Sequence, residues 1–179
     1  NAFSCIEIEE GKEGLARLKK SLKELDCWVE EYDDFKNIKI FKWYPFWYDA
    51  APIIVAADIF SWDEENTRNF GRCNQKVSFF EKTLLKYFVS LKMVVELAPD
   101  RWKKHYSFGK MQVIDFNPEE KCVVLRLENF SVHLVFCQLL MGYIEAAIKF
   151  VILSKNIKAT ETKCVFKGDA FHEYLIKWD

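Results

Sequence analysis

Glycine and proline are scarce in this chain, at six and four of 179 residues, and histidine is scarcer still at three. No glycine-rich loop of the phosphate-cradling kind occurs, and neither a GxSxG elbow nor an HExxH pair is present. With so few histidines, and no Ser or Cys beside a recognisable base, acid–base and nucleophilic catalysis lack material. The chain reads as a non-enzyme. A surplus of positive charge is missing too, since 26 Lys and Arg stand against 27 Asp and Glu. Nucleic-acid and anionic-membrane binders carry a basic excess, so neither partner is expected. The six cysteines (Cys5, Cys27, Cys73, Cys122, Cys137, Cys164) include no CxxC. A chain of this length needs no disulfide staples, which points to a reducing, cytoplasmic setting. Nor does the sequence open on Met. Asn1-Ala2 ahead of Phe3 reads as the remnant of a cleaved tag, and 1–179 as one regulatory domain cut from a longer protein.

What is abundant is apolar and aromatic. Half of the residues are hydrophobic, with 16 Phe, 7 Tyr and 6 Trp, enough rings to fill a core or to line an apolar pocket. Val132 to Leu153 is nearly continuous apolar sequence and about long enough to span a bilayer. It carries His133, Gln138, Glu145 and Lys149, however, and charges in mid-span are costly. Glu145 and Lys149, four apart, form a favourable helix pair. The segment is expected to be a buried core helix.

Leu15, Leu18, Leu22, Leu25, Val29 and Tyr32 repeat at three-four spacing, an amphipathic helix with a narrow apolar stripe. That stripe packs on its own domain or forms a seam against a second copy. Ile38 to Trp43 alternates as a short strand. Phe46 to Phe60 reads as a buried helix despite Pro52, and Ser61 with Glu64 as a capping box for the next. Val77 to Leu97 is a long helix ended by Ala98-Pro99-Asp100. The texture then changes to a hairpin, Lys110–Phe116 with Lys121–Glu128, then the apolar helix, then a second hairpin, Ile157–Phe166 with Phe171–Trp178, turning at Lys167-Gly168-Asp169. Helices first, then two hairpins flanking a helix, give an α+β fold with an antiparallel sheet.

With that turn centred on Gly168, Cys164 stands opposite His172 and Thr162 opposite Tyr174, and opposed residues lie about 5 Å apart. A thiol facing an imidazole is half of a tetrahedral zinc site. Cys137 on the apolar helix is a candidate third ligand. Glu161 is a fourth only if a bulge turns it inward, because strict alternation places it on the wet face with Lys163, Glu173 and Lys177. The competing reading makes Cys164 a small buried apolar residue and His172 a hydrogen-bonded core histidine. His133 and Cys137, four apart on one helical face, are a rival pair. For an apolar ligand, Phe80, Leu84, Phe88, Trp102, Tyr106, Phe136 and Tyr143 fall on the inward faces of the helices. Tyr106 or His133 would offer it one orienting hydrogen bond.

The run from Cys137 through Gly142-Tyr143, then Cys164-Val165-Phe166-Lys167-Gly168-Asp169, then His172-Glu173-Tyr174 to Trp178, resembles the 4-vinyl reductase domain. Pro99-Asp100-Arg101-Trp102 and the turn before Phe108-Gly109 are similar to it as well. That domain belongs to a ligand-binding superfamily shared by NO signalling and Golgi transport proteins. The resemblance implies zinc held at Cys137, Glu161, Cys164 and His172, with His172 standing where aromatic-sensing members have cysteine. It also implies a sensory or regulatory domain for a small apolar molecule, a homodimer through helical surfaces, and an output module in the same chain. Two alternatives are a non-catalytic scaffold of the transport-particle type and an accessory protein of tetrapyrrole metabolism.

Overall fold

The computed structural model describes residues 2–32, 43–73, 90–149, 151, 152, 154 and 156–179. The strand expected from Ile38 lies outside them except for its last residue. So do the first thirteen residues of the helix expected from Val77, with Phe80, Leu84 and Phe88. Two compact units divide the chain, residues 1–66 and 67–179.

In the first unit, helix α1 (Ala2–Glu24) is broken at Gly11, whose φ of 73° suits glycine. Leu18 and Leu22 are fully buried in this unit while Leu25 is 59% exposed. The stripe therefore ends sooner than its spacing suggests. Asp26, at φ 53°, reverses the chain, and Tyr32 belongs to a separate 3-10 turn, Glu30–Tyr32. Ala2, expected to lie outside the fold, is helical and buried, and Phe3 packs its ring 5.1 Å from that of Tyr32. Helix α2 (Trp47–Ile59) holds Pro52 in its interior. Proline has no N–H for the carbonyl four residues back. That carbonyl, on Tyr48, instead accepts from the Tyr32 hydroxyl at 2.7 Å.

Helix α3 (Glu64–Cys73) is capped two residues later than expected. Asp63 and Asn66 exchange backbone-to-side-chain bonds of 2.7 and 3.3 Å, and Ser61 takes no part in that exchange. Helix α4 (Leu91–His105) starts at Ser90, whose hydroxyl accepts from the Met93 amide, and runs on through Pro99. The expected stop at Ala98-Pro99-Asp100 is thus corrected: one proline removes one bond, and Trp102 is buried beyond it.

The second unit is built on a four-stranded antiparallel sheet in the order β1-β2-β4-β3, made of β1 (Lys110–Asn117), β2 (Cys122–Glu128), β3 (Ile157–Lys163) and β4 (His172–Trp178). Asn117 closes the first hairpin by accepting from the Glu119 and Glu120 amides. Helix α5 (Val135–Lys149) lies against β3, and α4 against β1. No helix among the described residues is long and apolar enough to cross a membrane. Gly142 on α5 is required by close approach: a Cβ there would stand 1.9 Å from the Arg68 carbonyl oxygen of α3. Gly71 on α3 meets Leu139 in the same way, at 2.1 Å.

Candidate functional site

The β3–β4 hairpin pairs Glu161 with Tyr174 and Lys163 with Glu173, so Thr162 is an extra residue. This bulge corrects the pairing expected from Gly168 by one position. Residues 161 and 164, three apart, would point to opposite faces of a regular strand. With one extra residue between them both face inward. Glu161 accordingly leaves the solvated face and is only 6% exposed in its side chain. The turn beyond is tied down by Asp169, which accepts from the Cys164 amide at 2.8 Å, and by Gly168 at φ 97°.

Across this hairpin α5 brings Cys137. Its sulfur lies 3.6 Å from that of Cys164, and Glu161 Oε1 lies 2.9 Å from His172 Nδ1. One ligand atom from each of Cys137, Glu161, Cys164 and His172 falls within 4.8 Å of all the others. Four bonds of about 2.0–2.3 Å in tetrahedral array separate ligand atoms by roughly 3.3–3.8 Å, so the sulfurs already stand at such a spacing. His172 Nε2 donates to the Phe130 carbonyl at 2.8 Å. A carbonyl only accepts, so Nε2 carries the hydrogen and Nδ1 is turned toward the carboxylate. Two such atoms need a cation between them, a proton or a metal ion. A backbone carbonyl that fixes the outer nitrogen is the usual support of a metal-binding imidazole.

The electrostatics agree. Burial, reinforced by the negative charge of Glu161 and by the bond to Cys164, pushes the Cys137 thiol far above its ordinary value. Burial also acts to raise Glu161, but hydrogen bonds from His172 and the two thiols outweigh it and hold the carboxyl below its usual value. Tyr174, wholly buried beneath the cluster, is raised well above its ordinary value by burial and then by the Glu161 charge.

The rings expected around a pocket separate. Trp102 and Phe136 are buried and meet through Phe130, with centroids 5.4 and 5.9 Å from it. Tyr106 lies against Trp102, the two rings tilted with centroids 4.5 Å apart. His133 and Tyr143 lie at the surface, where His133 Nδ1 accepts from the Val135 amide. His133 and Cys137 therefore do not form a pair in the cluster. Phe130 was not singled out in the sequence, Asp169 was read only as a turn residue, and Glu145 only as the helix partner of Lys149. Their roles rest on a carbonyl, a turn bond and tertiary ion pairs, and only the Asx-type turn residue left a local signal.

Comparison with solved structures shows that the chain has the fold of H-NOX domains. An H-NOX protein from S. oneidensis in the Fe(II)NO ligation state matches with TM-score 0.66 and 13% identity, over 99% of this chain and 97% of its own. Fe(II) unliganded H-NOX from K. algicida matches at TM-score 0.64 and 10% identity, over 99% and 92%. An oxygen-binding H-NOX domain related to soluble guanylate cyclases matches at 0.62 and 14%, over 99% and 91%. No family model matches the sequence. No curated protein matches it either. The expectation of zinc as the cofactor is overturned here, because solved structures of this fold are described with Fe(II) ligation states and heme.

Heme iron takes an axial His, Cys, Met or Tyr ligand, and no histidine among the described residues is placed to serve as one. Of the three histidines, His105 and His133 are exposed, and His172 has both nitrogens engaged, by Glu161 and by Phe130.

Proposed function

We propose that this chain is a sensory, non-catalytic domain that binds a small molecule and is organised around a metal ion held by Cys137, Glu161, Cys164 and His172. The observation that carries the reading is the convergence of those four side chains, from a helix and both strands of a hairpin, into one buried cluster. The H-NOX fold supports the sensory part, since relatives in that fold bind gases such as oxygen and NO. The same four positions support the narrower likeness to 4-vinyl reductase domains. There the ion would tie α5 to the hairpin, so that a ligand displacing α5 is felt at β3 and β4. Pairing with a second copy and coupling to an output module belong to the same reading. Ile8 on α1 and Leu25 just past its end are exposed apolar residues available for such pairing.

The test is cobalt(II) titration of chelator-stripped protein. One equivalent is expected to produce a thiolate-to-metal charge-transfer band that Cys137→Ser and Cys164→Ser each weaken and the double variant abolishes, while His172→Ala lowers the affinity for cobalt(II). Absence of the band in the parent protein, with metal analysis of the untreated protein also blank, overturns the metal centre. A native mass spectrum of protein purified without added ligand tests the sensory half, and a bound small organic molecule is the expected result.

A further inference from the structure

At the other end of the β3–β4 hairpin the chain carries a second cluster. Glu145 on α5 is buried, at 5% exposure, and it is not paired with Lys149. It accepts from the Ala159 amide at 2.9 Å, from Arg72 Nε at 2.9 Å and Nη2 at 2.7 Å, and from Arg68 Nη1 at 3.4 Å. Arg68 also donates to Gln138 Oε1 at 2.9 Å. One carboxylate thereby fixes two guanidinium groups in the wall of an open cleft of about 570 Å³. Lys158, Lys177 and Asp179 also line this cleft, leaving positive charge in excess. Asp179 is engaged by Ser154 and Asn156.

Lys158 and Lys177 are direct cross-strand partners, both exposed. Neither makes an ion pair among the described residues. Like charges directly opposite in an antiparallel pair are destabilising, and here two oriented guanidinium groups share the cleft with them. An anion seated there would relieve the repulsion. We propose that this cleft is a binding site for a phosphate-type dianionic group, with Lys158 and Lys177 as its point charges and the guanidinium groups of Arg68 and Arg72, already bonded to Glu145, Gln138 and Asn69, as fixed positive charge beside it. A dianion matches the excess of cations over carboxylates in the lining, whereas a single carboxylate leaves part of it unmet.

The site is tested with inorganic phosphate, titrated into isotope-labelled protein and followed by amide and indole chemical shifts. Sodium chloride and sodium acetate at matched ionic strength and pH are the comparisons. Lys158, Lys177 and the Trp178 indole are expected to shift with phosphate and to saturate, while chloride and acetate give weak, non-saturating drifts. The variant Lys158→Gln/Lys177→Gln is expected to raise the half-saturating concentration about tenfold or more, since it removes both point charges. It should melt no lower than the parent, because it also removes a repulsion. If the double variant does not fold, Lys158→Gln alone, on the edge strand, is expected to weaken phosphate in the same direction. Equal responses to phosphate and chloride, saturation by acetate at the same concentration, or unchanged affinity in the folded variants would each overturn the proposal.

Discussion

Glu145 shows how one buried side chain can join separate parts of the unit. It bonds one edge amide of β3 and two arginines at once, taking up a donor that would otherwise be open to another strand. Replacing it with Gln leaves two guanidinium groups without their counter-charge. Breaking such a pair from one side costs about 3 kcal/mol or more. Glu145→Gln is therefore expected to lower the denaturant midpoint sharply without changing the slope, while Lys149→Gln should leave it in place. At the metal-ligand cluster, Glu161→Gln keeps the size of the side chain and removes its charge. It is expected to weaken cobalt(II) binding while the charge-transfer band of the two thiolates persists, a pattern absorption titration would reveal.

The elements make these contacts through two local devices. Where α3 and α5 cross, Gly71 and Gly142 let backbone meet backbone, with no room for a methyl group. Gly142→Ala must push the helices apart, and overpacking of this kind costs about 1–3 kcal/mol. The loss should appear as a lower melting midpoint, and Gly168→Ala, which meets no atom but sits at φ 97°, should lose less. The bulge at Thr162 is the second device. Deleting Thr162 would make β3 regular while leaving Glu161 and Cys164 both inward, two residues apart. The shortened chain is expected to keep its cobalt(II) band. Its loss would mean that the extra residue sets distance as well as direction.

For the whole molecule, a ligand that binds only the folded state adds stability that grows with the logarithm of its concentration over Kd, about 4 kcal/mol at a thousandfold excess. Metal at Cys137, Glu161, Cys164 and His172 is expected to slow hydrogen exchange in α5, β3 and β4, while amides of α1 and α2 keep their rates. Hemin, by contrast, is expected to give no stoichiometric Soret complex, because the engaged and exposed histidines offer no axial site among the described residues.

Alternation, turn residues and apolar periodicity are local properties, and among the described residues they determined the placing of helices ahead of the sheet, both hairpins, the apolar helix and the cysteine and histidine that face each other near Gly168. The helix through Pro52 was legible because proline removes a single bond. Boundaries that depend on partners elsewhere were not. Pro99 stays helical although it was expected to end a helix, and Leu18 and Leu22 are buried in the unit where Leu25 is not. Only the tertiary structure decided that Glu161 faces inward, because a bulge is set by pairing with β4 and leaves no mark in β3 alone. It also decided that Glu145 answers Arg68 and Arg72, more than seventy residues away, instead of the lysine one turn along its own helix. Long-range charge pairing has no periodicity to read, and so it appears only once the chain has folded.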